Sequence, residues 1–95
     1  MRRRARVDRN QAEIVKALRA VGCSVQQLHT IGKGCPDILV GVRGRNLLME
    51  IKDGSLPPSA RLLTPFELLW QQTWGGQVVT VQSVDEALTA VNHTR

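Results

Sequence analysis

The sequence predicts an α/β fold, a mixed β-sheet flanked by helices in the order αβββαβα, and three observations carry that reading. Two apolar runs of strand length, Ile38 to Val42 and Leu47 to Ile51, flank the polar turn Arg43-Gly44-Arg45-Asn46, a β-hairpin pattern. Val78, Val79 and Val81 form a β-branched run of the kind that fills a buried strand. Apolar residues recur at helical spacing near both ends of the chain, at Ala12, Val15 and Leu18 and at Val84, Ala87, Leu88 and Val91.

Taken in order, Met1 to Val7 carries Arg2, Arg3, Arg4 and Arg6, a basic arm with little to bury. It reads either as a solvated tail or as a phosphate contact, with Arg3 and Arg4 as the contacting pair. Residues 8–95 read as one domain. Asp8 looks like an N-cap with Gln11 at the capping-box position, opening a helix from Arg9 to Val21 that Gly22 ends. Glu13 lies near the edge of its apolar face, beside Ile14. Ser24 to Ile31 alternates imperfectly, as an edge or half-exposed strand does. Gly32-Lys33-Gly34 is a flexible basic loop that can approach a substrate closely, with Lys33 a candidate phosphate contact.

After the hairpin, Asp53 to Thr64 contains Gly54, Pro57 and Pro58 and must be a loop, with Arg61 a candidate DNA contact. Thr64-Pro65 starts a second helix, with a capping hydroxyl, proline at the first position and Glu67 closing a capping box. That helix is expected to run to Thr73 and to bury Phe66, Leu69 and Trp70. The valine run Gln77 to Gln82 follows, expected to be buried on both faces. Ser83-Val84-Asp85-Glu86 then opens a final helix to about Asn92.

Composition narrows the partner. Thirteen Lys and Arg against eight Asp and Glu give a net charge of +5, which favours polyanionic nucleic acid. No apolar run approaches the ~20 residues of a membrane span, and no signal-peptide core follows the basic start. The expectation is an intracellular protein, in a bacterial or host-cell cytoplasm. Cys23 and Cys35 form no C-x-x-C pair, and His29 and His93 lack zinc-ligand spacing, so free thiols are expected.

Acids and a lysine stand in the hairpin where a core strand should be apolar. Side chains alternate along a strand, so Glu50 and Lys52 share a face that Met49 and Ile51 do not. With the turn centred on Gly44-Arg45, position 37 lies opposite 52 and Asp37 is a diagonal neighbour of Glu50, close enough for both carboxylates to reach one cation. Hard oxygen ligands suit Mg²⁺ or Mn²⁺, ions that keep several waters and bind phosphate oxygens. A lysine beside such an ion can position or activate water, or offset charge on a phosphate. The bland reading makes Asp37 a strand-end cap and Glu50 and Lys52 a surface ion pair.

Pro36-Asp37, twelve intervening residues and Glu50-Ile51-Lys52 resemble the PD-(D/E)XK nuclease signature. More narrowly, Gly34-Cys35-Pro36-Asp37-Ile38, Gly54 shortly after Lys52, and Leu63-Thr64-Pro65 ahead of a helix with Trp70 are similar to the VRR-NUC branch. The resemblance covers about residues 8–90 and implies a restriction-endonuclease-like core. It implies that Asp37 and Glu50 bind the metal with the Ile51 carbonyl, that Lys52 acts on the water, and that Glu13 assists from the first helix. The bland alternative for Glu13, held the weaker of the two, is a solvent-facing pair with Lys16. The family commonly carries glutamine where this chain has Glu67, so Glu67 reads first as a capping acid and Gln71 as a possible site residue.

The resulting expectation is a Mg²⁺- or Mn²⁺-dependent DNA endonuclease acting on branched DNA in repair or recombination, as a homodimer. The alternative is a non-catalytic nucleic-acid-binding module with a nuclease-like fold. Binding alone would not call for acids near a polyanion.

Overall fold

The computed structural model describes residues 8–94, so Arg3 and Arg4 lie outside the described residues. Four strands, β1 (Ser24–Gln27), β2 (Ile38–Val42), β3 (Arg45–Ile51) and β4 (Val78–Val81), form one sheet in the order β1-β2-β3-β4. The first two pairings are antiparallel and β3 with β4 is parallel, giving the expected mixed sheet. Helices α1 (Gln11–Ala20), α2 (Pro65–Thr73) and α3 (Val84–Asn92) complete the order αβββαβα, with a 3-10 turn at Pro58–Arg61 inside the long loop. Among the described residues no helix is long and apolar enough to cross a membrane.

Alternation along the hairpin divides the sheet into two faces. Ile38, Val40, Leu47, Met49 and Ile51 point to one side and pack with Ile14, Val15 and Leu18 of α1 and with Ala87 and Val91 of α3. This is the core. The other face carries Asp37, Leu39, Leu48, Glu50 and Lys52, and α2 lies over it.

The hairpin register differs from expectation by two residues. Ile38 pairs with Met49 and Val42 with Arg45, so the turn is the two-residue pair Arg43-Gly44. Both residues take positive φ, 50° and 78°, the type I′ geometry whose twist matches that of the flanking strands. The left-handed strain at Arg43 is held in place by its guanidinium, which donates to the Val91 carbonyl at 2.6 Å. A shift of two preserves which face each side chain occupies, where a shift of one would have inverted it. Asp37, one residue outside the ladder, thereby comes beside Glu50 and no longer opposite Lys52.

Four element readings change in the tertiary structure, the first being that β1 ends at Gln27 and not at Ile31. The cap of α1 is Asn10, not Asp8, and its side-chain amide leaves the helix to donate to the Lys52 and Gln82 carbonyls, both at 3.1 Å. That bond ties the helix start to the ends of β3 and β4. Strand β4 is half-buried except at Val81, because it sits at the sheet edge and pairs only with β3. Phe66 and Leu69 are exposed, at 71% and 57%, and no residue of α2 is fully buried. The stripe that α2 turns to the sheet is Glu67, Trp70, Gln71 and Trp74, at helical spacing, which leaves Phe66 and Leu69 outward.

Between β1 and β2 the chain makes a left-handed turn, with φ of 74°, 59° and 84° at Gly32, Lys33 and Gly34. A Cβ at Gly34 would overlap the Phe66 carbonyl, so glycine lets this loop seat against the first turn of α2. Gly34→Ala is expected to lower stability by roughly 2–3 kcal/mol, from positive φ and backbone overlap together. Urea unfolding of the two proteins measures it, and an unchanged midpoint would show that the loop does not dock there.

Candidate active site

The site is built where β2 and β3 leave the hairpin core. One residue before the Ile38–Met49 pair, Asp37 sits at a bend just outside the ladder, its amide donating to the Met49 carbonyl at 3.1 Å, and its carboxyl group shares a hydrogen bond with that of Glu50. The Ile51 amide donates to Asp37 Oδ2 at 2.7 Å, which fixes that carboxylate on the turn of the strand. Ile51's side chain is fully buried, so only its main chain faces this group. Glu50 is 3% exposed.

Two carboxylates confined in this way resist ionisation. Burial, then the charges of Asp37 and Glu67, push the Glu50 carboxyl up to about 9. Asp37 is raised as well, by burial first, with part of the rise cancelled by the Ile51 amide. Lys52 Nζ lies 3.7 Å from Glu50 Oε2 and 2.7 Å from Glu67 Oε1. Burial works against its charge, but Glu67 and Glu50 outweigh it and hold the amine above its ordinary range. Conversely, Lys52 and the Thr64 amide overcome burial at Glu67 and hold it ionised.

Glu67 thus does two things at once. Its carboxylate accepts from the Thr64 amide at 2.8 Å, closing the capping box, and from Lys52. The sequence identifies the capping role and leaves the second open, because the pairing is made by a residue fifteen positions away on another element. Gln71, one helical turn on, donates to Thr80 Oγ1 at 3.2 Å, and Thr80 lies beside Glu50 in the sheet. The glutamine therefore borders the site through β4.

Other candidates fall elsewhere. Glu13 is exposed and lines a groove with Asp53, Ser55, Asp85 and Glu86. No hydrogen bond or ion pair joins it to Asp37, Glu50 or Lys16 among the described residues. The buried stripe of α1 is Gln11, Ile14, Val15 and Leu18, and helical periodicity turns position 13 away from it. The acid from this end of the chain that acts on the site is Asp8, whose charge opposes ionisation of Asp37 and favours the Lys52 ammonium. Its place ahead of α1 made it look like a cap, and no local pattern marks it otherwise. Lys33 is exposed on its left-handed turn. Arg61 donates to Leu56 O at 2.6 Å and to Gln82 Oε1 at 2.8 Å, so its guanidinium pins the long loop to the end of β4.

The donor set fits a hard divalent cation. Among the described residues no three His, Cys, Asp or Glu side chains are grouped to enclose an ion. Two adjacent carboxylates with open positions are instead what an ion needs when it keeps its waters and takes phosphate oxygens. Buried acids that resist ionisation also leave a negative site that either a proton or a cation must neutralise.

No family model and no curated protein matches the chain. Among solved structures it is similar to a VRR_NUC domain, at a TM-score of 0.67 and 27% sequence identity, over 92% of this chain and 95% of that one. The shared fold, its coverage of both chains and the Pro36-Asp37 and Glu50-Ile51-Lys52 signature agree: over nearly its whole length the chain is similar to a VRR_NUC domain.

Proposed function

We propose that the protein is a Mg²⁺- or Mn²⁺-dependent DNA endonuclease. The observation that carries this reading is the contact between the half-buried Asp37 carboxyl group and the buried Glu50 carboxyl group, with Lys52 beside Glu50 on the same face. Asp37, Glu50 and the Ile51 carbonyl would hold the ion, which supplies Lewis-acid activation of water and of the scissile phosphate. The chain's own residues do the rest. Asp37 is oriented by the Ile51 amide, and Glu50 by its place in the ladder, so both arrive with little freedom to lose. Lys52, bridged between Glu50 and Glu67, presents an ammonium where charge develops on the phosphate and where the attacking water must be oriented.

The net charge of +5 favours DNA, and the likeness to a VRR_NUC domain supports a nuclease. Branched DNA is the substrate we favour, in repair or recombination. A homodimer accords with the outward side of α2 and the loop before it, where Phe66 and Leu69 are 71% and 57% exposed and Leu62 is 70% exposed. Two-fold symmetry would set two sites on one junction.

Labelled linear, flap and four-way-junction DNA, incubated with the protein and Mg²⁺, Mn²⁺ or EDTA, tests the reading. Cutting is expected with either metal and none in EDTA, with the branched substrates cut first. If every DNA is bound and none is cut with either metal, the protein is a binding module.

A further inference from the structure

Next to the carboxylate pair, on the same sheet face, lies a cavity of about 400 Å³ lined by Leu28, Cys35, Leu39, Leu48, Trp70 and Trp74. Leu48 is two residues from Glu50 along β3, so the cavity floor begins about 7 Å from the pair. Leu39 and Leu48 oppose one another in the row next to Asp37 and Glu50. Cys35 joins the two regions: it lines the cavity and feels the charges of Glu50 and Asp37. Trp70 and Trp74 stack on each other with ring centroids 4.5 Å apart and form the wall contributed by α2 and its end. Asn46 and Gln77, both exposed, bring amide groups to the rim.

We propose that this cavity is a subsite for one unpaired nucleobase of the strand being cut, adjacent to the scissile phosphate. The proposal rests on the nuclease reading and narrows its substrate. An apolar floor and indole rings suit a base, since every base has a π-face, and the rim amides can meet its edge. The reach from the carboxylates to Leu48 matches that from a backbone phosphate to the base it carries. A paired and stacked base cannot enter, so the nucleotide beside the cut must be unpaired or flipped out at a cost. Flaps, junctions and single-stranded ends meet that condition, and continuous duplex does not.

The chain has two tryptophans and no tyrosine, so its indole emission comes from this cavity wall. The full chain in EDTA and low salt is titrated with a fluorescently labelled single-stranded oligonucleotide, the same strand with abasic residues, and the blunt duplex. Label anisotropy reports binding and indole emission reports base entry. The single strand is expected to quench the emission, and the abasic strand and duplex to bind without quenching. Trp74→Ala is expected to weaken single-strand binding about tenfold, and Trp74→Phe, which keeps a stacking face, much less. Three results overturn the proposal: binding without quenching, equal quenching by the abasic strand, or no binding of any strand. An emission change on raising protein concentration alone would assign the cavity to a second copy of the chain. Quenching without metal-dependent cutting sinks the nuclease reading and leaves the base site, whereas cutting without quenching does the reverse.

Discussion

Lys52→Ala and Asp37→Ala are each expected to reduce metal-dependent DNA cleavage by about 10²–10³-fold, the cost of removing one preorganised charged group from a reacting centre. The two losses should differ in kind. Asp37 is proposed to hold the ion, so raising Mg²⁺ or Mn²⁺ should recover part of the activity of its variant. Lys52 acts on water and phosphate, so no metal concentration should rescue it. A structural cost must be separated from the chemical one. Asp37→Ala strands the Ile51 amide, which donates to Oδ2 at 2.7 Å, and an unpaired buried donor costs about 1–3 kcal/mol. Asp37→Asn keeps an acceptor there and removes the repulsion with Glu50, so without metal it should melt at or above the parent while cutting no better than the alanine variant. Cleavage by Asp37→Asn at the parent rate would remove Asp37 from the metal site.

Glu50→Gln is expected to raise the melting temperature of the metal-free protein at pH 8. Burial and the charge of Asp37 push the Glu50 carboxyl up to about 9, from an ordinary value of 4.5. The folded state therefore binds this proton more tightly than the unfolded chain does. Stability is greatest below the unfolded value and falls as pH rises from about 4.5 towards 9, by an amount on the order of a few kcal/mol. The Asp37 carboxyl is also raised and adds in the same direction. Melting curves in EDTA at pH 5, 7 and 9 should decline for the parent and flatten for Glu50→Gln. Mg²⁺ or Mn²⁺ should reverse the trend, because an ion that binds the ionised pair stabilises the fold more at pH 8 than at pH 6. A parent curve flat from pH 5 to 9, with no metal-dependent shift at pH 8, would mean that the pair neither repels nor binds.

The sequence carries more of the fold than of the site. Period-two alternation through Leu47 to Lys52, the capping box at Thr64-Pro65 and the valine run were enough to order all seven main elements, and α2 and α3 have the expected bounds. These are local signals, set by backbone geometry and nearest-neighbour hydrogen bonds, so they survive without knowledge of the rest of the chain. The face shared by Asp37, Glu50 and Lys52 was legible for the same reason, since strand parity does not depend on the turn's position to within two residues.

Tertiary structure decided the rest. Which residues close the hairpin depended on whether Arg43 could hold a positive φ, and its guanidinium bond to Val91, 48 positions away, supports it there. The facing of α2 turned on which stripe met the sheet: Phe66 and Leu69 are as apolar as Trp70, but Glu67 was drawn inward to Lys52. That Asp8 acts on Asp37 and Lys52, and Glu13 does not, follows from where α1 starts, with Asn10 anchored to the ends of β3 and β4. The sequence alone determined the elements and the chemistry of three ionisable groups on one strand pair. Their mutual distances, the acid that joins them from α2 and the apolar cavity beside them arise from contacts between distant segments, which no local pattern encodes.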